Sequence, residues 1–169
     1  MAFFIQVTPI LNPKAREWCK MPYPGHPKGC PNFNTGKKEC PPDAPMFDDF
    51  FDMSGDFWMG VEKFELGEHV KRMIALHPDW TDKQARCCLY WQNGVRKRLR
   101  TDTELFISLL LPDLINIDDG DGEYDYTMLP EAMGMNVIAT ALRHDIPIKA
   151  RPVDAIHKIS IVGRRLKHG

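Results

Sequence analysis

This sequence lacks a long apolar run, an excess of either charge, and the short motifs of several large enzyme classes. Its longest apolar stretch, residues 105–111, is far shorter than a bilayer span. Since 22 Lys and Arg stand against 23 Asp and Glu, general polyanion binding is not the default interpretation. There is no glycine-rich nucleotide loop, no Gly-x-Ser-x-Gly and no His-Glu-x-x-His, so a hydrolase has no support.

A secretion pattern is also missing. Residues 1–5 are mostly apolar, but no basic region and no small-residue cleavage site accompany them. We therefore expect a first strand here and a cytoplasmic protein. The length of 169 residues, with 43% hydrophobic and 27% charged residues, predicts one globular domain over residues 1–169.

Cysteine and proline are distributed unevenly. The five cysteines are an odd number, which argues against a full disulfide framework and favours metal binding or thiol chemistry. Half of the fourteen prolines lie within residues 22–45. Because each proline removes a backbone donor, we expect no regular structure over residues 12–46. A loop of this length in a compact domain needs a partner that orders it, and a bound inorganic centre would do so.

Three cysteines in or beside this loop are the candidate ligands: Cys19, Cys30 and Cys40. Structural zinc sites usually take ligands in pairs two to four residues apart, and no such pair exists here. Separate thiolates suit an iron–sulfur cluster, whose irons are approached from different sides. Cys30 and Cys40 are each followed by proline, as in ferredoxin-type ligand runs. Zinc and buried or redox-active thiols remain the alternatives.

Cys87 and Cys88 are adjacent in a predicted helix, where their side chains point about 100° apart. Both are therefore not expected to reach one centre. Cys88 is in phase with Ala85, Val95 and Leu99, which form an apparent inward-facing stripe. We favour Cys88 over Cys87 as a fourth ligand. The other interpretation is a fourth iron without a protein thiolate, open to substrate or sulfide.

Two stretches of the chain carry a recognisable signature. Residues 29–33, followed by residues 36–37 and 40–45, read Gly-Cys-Pro-Asn-Phe, Gly-Lys and Cys-Pro-Pro-Asp-Ala-Pro. They resemble the Cys-Pro-Asn-Tyr-Gly-Lys and Cys-Pro-Pro-x-x-Pro signature of a family of predicted metal-binding proteins. Residues 130–140 resemble that family's C-terminal stretch, which begins Pro-Glu-Ala-x-Gly.

The chain departs from that signature by an insertion at residues 34–35 and by lacking a cysteine beside Pro130. The resemblance implies a cysteine-bound metal centre, iron–sulfur in type. Its ligands would be Cys30 and Cys40, with Cys19 as the third. The resemblance implies no particular reaction.

Four polar residues lie close to the proposed ligands in sequence. His26 is a candidate nitrogen ligand or proton donor, although an exposed loop histidine is the simpler interpretation. Lys20, Lys37 and Lys38 are candidates for holding an anionic substrate or bonding the sulfides.

The basic cluster at residues 96–100, Arg-Lys-Arg-Leu-Arg, is a candidate nucleic-acid contact. Its cations suit phosphate, and the neighbouring Tyr90 and Trp91 suit stacking on a base. The alternative is a solvated helix face, with its charge partly offset by Asp82 and the acids at positions 102 and 104.

The pattern of elements predicts an α+β fold: a small mixed or antiparallel sheet with about three helices and a long Cys- and Pro-rich loop. A capping-box pattern starts the second helix, and breaks are expected near residues 93–94 or 101–102. We expect strands at 2–10, 57–65, 146–150 and 156–163, helices at 67–76, 82–110 and 130–144, and an acidic turn at 116–126.

The sequence therefore predicts an iron–sulfur protein, with a [4Fe–4S] cluster bound by Cys19, Cys30, Cys40 and Cys88. Its expected role is redox or sulfur chemistry on a small substrate or nucleobase. The alternative is a zinc-binding structural module that contacts nucleic acid or a protein partner.

Overall fold

The computed structural model describes residues 1–22, 27–111, 123–149 and 152–166. Its sheet has four antiparallel strands in the order β1-β2-β4-β3. The predicted α+β class is confirmed, and the sheet is antiparallel. The strands are β1, Phe3–Val7; β2, Phe57–Glu65; β3, Tyr124–Thr127; and β4, Ala155–Arg164.

The two longest strands form the centre of the sheet. β2 pairs with β4 along its whole length, from Phe57 opposite Gly163 to Glu65 opposite Ala155. β1 covers the free edge of β2, and β3 pairs with the last residues of β4. β2 is buried from Phe57 to Glu62, so both of its faces contact other layers.

Five α-helices surround this sheet in the described residues. The first two are separated by β2, and the fourth continues into a short π-helix, Phe106–Leu110. Three 3₁₀ helices cover Pro13–Lys20, Cys88–Tyr90 and Pro130–Met133. The α-helices are α1, Phe47–Phe50; α2, Leu66–Leu76; α3, Asp82–Ala85; α4, Gln92–Leu105; and α5, Val137–Arg143. None of these helices is long and apolar enough to cross a membrane.

Alternate side chains of the central strands fill two apolar cores. On one face, Met59 and Ile161 pack with α1, α5 and the 3₁₀ helix before α5. On the other face, Trp58 and Val162 pack against Phe106 at the end of α4. The sheet therefore lies between two helical layers, as the period of two in a strand requires.

The helix expected over residues 82–110 is interrupted earlier than predicted. The capping box between Thr81 and Gln84 is present, but α3 ends at Ala85. The reason is Trp91, whose indole N–H donates to the carbonyl of Arg86 at 3.2 Å, while its ring stacks on Phe64. In a continuous helix that carbonyl would accept the backbone N–H four residues later. Cys87 therefore lies at the break after α3, and Cys88 begins the short 3₁₀ helix that leads to α4.

Regular structure also occurs where none was expected. Pro13–Lys20 is a 3₁₀ helix that begins because the Asn12 side chain accepts from the Lys14 N–H at 3.1 Å and proline occupies the first position. The third predicted helix is split at Gly134, whose φ of 87° ends a 3₁₀ turn before α5 starts.

Two predicted segments near the C-terminus also differ. Residues 146–149 do not form a strand; they continue from α5 with Ile146 buried in the core, and residue 150 lies outside the described residues. The expected acidic turn at 116–126 lies partly outside the described residues, and its last part is in β3. This short strand was missed because it offers only four residues of alternating pattern.

Candidate functional site

The cysteine-rich segment, the described part of residues 12–46, is attached to the start of α5. The Asn12 N–H donates to the Gly134 carbonyl at 2.7 Å, and the Asn136 N–H donates to the Ile10 carbonyl at 2.8 Å. Leu11 forms a β-bridge with Met135 between them. This attachment joins residues 10–12, where the segment begins, to the second of the two stretches that carry the family-like signature.

Cys19 and Cys30 are in direct backbone contact. The Cys30 N–H donates to the Cys19 carbonyl at 2.7 Å. Gly29 is buried there with φ of 82°, and a Cβ at this position would lie 2.5 Å from the Cys19 oxygen and 2.7 Å from the Lys20 carbonyl carbon. Only glycine fits this approach, because both the backbone angle and the available space exclude a side chain.

Cys40 is brought back toward Cys30 by a compact loop. The Asn34 N–H donates to the Pro41 carbonyl at 2.8 Å, and the Cys40 N–H donates to the Lys37 carbonyl at 2.9 Å. The Lys37 ammonium donates to the Asn32 side-chain oxygen at 2.7 Å. The loop between the second and third cysteines is therefore closed by its own hydrogen bonds.

Arg16 joins the two ends of the segment, a role that the sequence analysis missed. Its guanidinium donates to the carbonyls of Pro42 at 2.8 Å and Ala44 at 2.7 Å. Arg16 precedes Cys19 by three residues, which is one turn of a 3₁₀ helix, so the two side chains lie on one face. The three-residue spacing of Arg16 and Cys19 was the only sequence feature that could have indicated this role. It becomes informative only once the 3₁₀ helix is known.

The three thiols lie within electrostatic range of one another. Burial raises the pKa of Cys19, and the charges of Cys30, Glu131 and Cys40 raise it further, while Arg16 lowers it. Burial and Cys30 raise the pKa of Cys40. These effects indicate that the three cysteines lie in one region of the fold.

A carboxylate, that of Glu131, lies within electrostatic range of both Cys19 and Lys158. Burial raises the pKa of Glu131 and lowers the pKa of Lys158, whose ammonium lies 6.0 Å from the centre of the Trp91 ring. The charges of Glu131 and Cys88 raise the Lys158 pKa in part. Lys158 therefore lies within electrostatic range of Cys88 and of Glu131.

The expectation that Cys88 faces inward with Ala85 is wrong. Ala85 is fully buried, whereas Cys88 is exposed and Cys87 is half-buried. The cause is the helix break described above, which removes the common phase that a continuous helix would impose. Cys88 remains the cysteine of this pair that lies near Lys158.

All five cysteines are free thiols. Across the four described ranges, no three His, Cys, Asp or Glu side chains lie close enough together to hold one metal ion. His26, considered above as a ligand, lies outside the described residues. Of the lysines considered with it, Lys20 pairs with Glu17 and covers the Phe33 ring at 5.0 Å, while Lys38 lines a cavity described below.

The basic cluster is divided between two environments. Arg98 donates to the buried Glu62 at 2.9 Å and so belongs to the fold. Arg96 and Arg100 instead line a cavity beside the cysteine-rich segment. Trp91 stacks on Phe64 with ring centres 4.9 Å apart, so this face of its ring is occupied by the protein's own core.

Comparison with known proteins yields no assignment. No family model, curated protein or solved structure matches this chain. The function must therefore be argued from the chemistry of the site.

Proposed function

We propose that this protein binds an iron–sulfur cluster, [4Fe–4S] in type, through Cys19, Cys30 and Cys40. Cys88 is the candidate fourth ligand. The cluster would serve redox or sulfur chemistry on a small substrate or nucleobase. The observation that carries the proposal is that three free cysteines, at sequence separations of eleven and ten residues, lie in one region of the fold, linked by backbone hydrogen bonds and within electrostatic range of one another.

The arrangement of donors favours a cluster over a single zinc ion. A zinc ion needs four donors about 2.0–2.3 Å from one point, and among the described residues no three candidate side chains meet that demand. Thiolates on a cluster bind different irons and do not have to converge on one point. A cluster therefore does not require the single point of convergence that a zinc ion does.

The surroundings also suit a cluster. Pro31 and Pro41 follow two of the proposed ligands directly, and Pro41 is buried. Proline adds apolar cover without a backbone donor, so it shields a cluster from water. Lys37 and Lys38 precede Cys40 and supply cations that would offset the negative charge of a thiolate-bound cluster.

The test is anaerobic purification followed by iron, sulfide and zinc analysis and electron paramagnetic resonance of the reduced protein. We expect a brown protein with about four irons and about four sulfides per chain. Cys30→Ser and Cys40→Ser should each lose most of this iron. Cys87→Ser is the matched control and should retain the iron. Cys88→Ser tests whether Cys88 is the fourth ligand. This variant can keep much of its iron, because a cluster tolerates a fourth iron that has no protein thiolate.

Three results would contradict the proposal. A colourless protein with about one zinc per chain would establish the zinc-binding module instead. Unchanged iron in Cys40→Ser would remove Cys40 from the ligand set. Protein that binds neither metal after anaerobic reconstitution would identify these residues as buried thiols.

A further inference from the structure

A cavity of about 570 Å³ lies between the cysteine-rich segment, α4 and β3. Its volume falls within the range of small-molecule sites. Lys38 and Glu39 contribute from the residues directly before Cys40, and Arg96 contributes from α4. Arg96 is also close enough to Cys40 to affect its thiol electrostatically. The cavity therefore adjoins the proposed cluster ligands.

The charged part of its wall is cationic. Lys38, Arg96, Arg100 and Arg165 line it together with only two carboxylates, those of Glu39 and Asp125. The Asp125 carboxylate is already used, because Arg165 donates to it at 3.0 Å. An entering anion would therefore meet an excess of positive charge.

Arg96 and Arg100 are the two cations best placed to bind it. They are four residues apart on α4, so their side chains share one face of the helix. Within the described ranges neither donates to a carboxylate, whereas Arg98 between them pairs with Glu62. Like charges at this spacing repel each other, and a bound dianion would relieve that repulsion.

The rest of the lining forms an apolar wall. It includes Phe50, Met128, Leu129 and Met133, together with Tyr126. The Tyr126 hydroxyl donates to Glu104 at 2.8 Å, which fixes the ring. A ligand that fills the cavity therefore needs an anionic end and a flat or apolar body. Guanidinium groups match phosphate oxygens in paired hydrogen bonds, so phosphate is the anion that the arginines of this cavity suit best.

We propose that this cavity binds a nucleoside monophosphate, with its phosphate between Arg96 and Arg100 and its base against the apolar wall. The assignment of this ligand as the substrate of the neighbouring cluster rests on the proposed function above. The binding itself depends only on the cavity.

The test is calorimetric titration of the full chain with AMP, GMP, CMP and UMP, with adenosine as the ligand that lacks the phosphate. We expect at least one monophosphate to bind below millimolar concentration. Arg96→Gln and Arg100→Gln should each weaken it about tenfold, because each removes a charge-assisted contact. Lys97→Gln is the matched control: Lys97 is exposed on the same helix and does not line the cavity. It should change the affinity less than about twofold.

Three results would overturn the assignment: no monophosphate binds, the two arginine variants bind like the parent protein, or adenosine binds as tightly as AMP. Tighter binding of single-stranded RNA than of any monophosphate, with Lys97 contributing as much as Arg96, would assign this face to nucleic acid instead. Iron is measured in every sample, so loss of the cluster and loss of ligand binding are distinguished. Monophosphate binding by an iron-free protein would support the cavity and contradict the cluster.

Discussion

At the scale of single residues, the geometry of the site depends on Gly29. This residue allows the backbone of Cys30 to contact that of Cys19, because it combines a positive φ with close approach to two carbonyl groups. The sequence showed the cysteines but not this contact. Gly29 is one of several glycines near the prolines, and nothing in a local pattern distinguishes the one that meets a distant backbone.

Gly29→Ala should therefore disrupt the segment more than its matched control, Gly36→Ala. Both glycines have positive φ, so each alanine incurs a conformational penalty of about 1–2 kcal/mol. A Cβ at Gly36 meets nothing within 4 Å, whereas at Gly29 it meets backbone atoms below 3.0 Å. We expect Gly29→Ala to lower the free energy of unfolding by at least about 1 kcal/mol more than the control.

Urea denaturation of both variants measures this difference, and limited proteolysis reports opening of the segment. Equal stability of the two variants would show that the Cys19–Cys30 contact does not constrain the fold. If the cluster is present, Gly29→Ala should also retain less iron than Gly36→Ala.

At the scale of elements, the sequence predicted correctly those helices and strands whose bounds depend on local residue patterns. β2 was predicted with its observed bounds, because the segment is rich in aromatic and β-branched residues, and α2 was predicted within one residue. The break after α3 was not predicted. It depends on Trp91 contacting Phe64 and the Arg86 carbonyl, and such contacts are set by tertiary packing that periodicity does not report.

The packing of α4 on the sheet provides a test at this scale. Leu99 is fully buried, whereas Leu105 on the same helix is 48% exposed. Leu99→Ala should lower the free energy of unfolding by about 2–5 kcal/mol, because it leaves a cavity in the core. Leu105→Ala should cost about 0.5 kcal/mol or less. Chemical denaturation measures both, and similar losses would contradict the placement of α4.

At the scale of the whole molecule, contacts between distant parts of the chain determine the site. The cysteine-rich segment is held by residues beside α5, more than a hundred positions away, and the cavity is completed by Arg165 near the end of β4. The sequence identified the ligand candidates and the α+β class. It could not identify their neighbours, because loop closure over such separations leaves no signal in composition or spacing.

One long-range ion pair connects the end of β4 to the loop before β2. The Arg164 guanidinium donates to the Asp52 carboxylate at 2.7 and 3.1 Å, and the Asp52 N–H donates to the Arg164 carbonyl at 2.9 Å. The Ser54 hydroxyl and N–H donate to the other carboxylate oxygen at 2.6 and 2.9 Å. The hydrogen bonds from Ser54, followed by those from Arg164, lower the pKa of Asp52 below its ordinary value of 3.8.

This pair predicts how stability depends on pH. Because the carboxyl pKa is lower in the folded state, its contribution is present above pH 3.8 and is lost as pH falls through the folded pKa. Asp52→Asn should therefore lower the unfolding midpoint near neutral pH, and its difference from the parent protein should shrink under acid conditions. Asp49→Asn is the control, because Asp49 is exposed on α1 without a side-chain bond in the described ranges. Urea midpoints measured across that pH range test the prediction. A difference for Asp52→Asn that does not change with pH would mean that the Asp52 charge does not stabilise this connection.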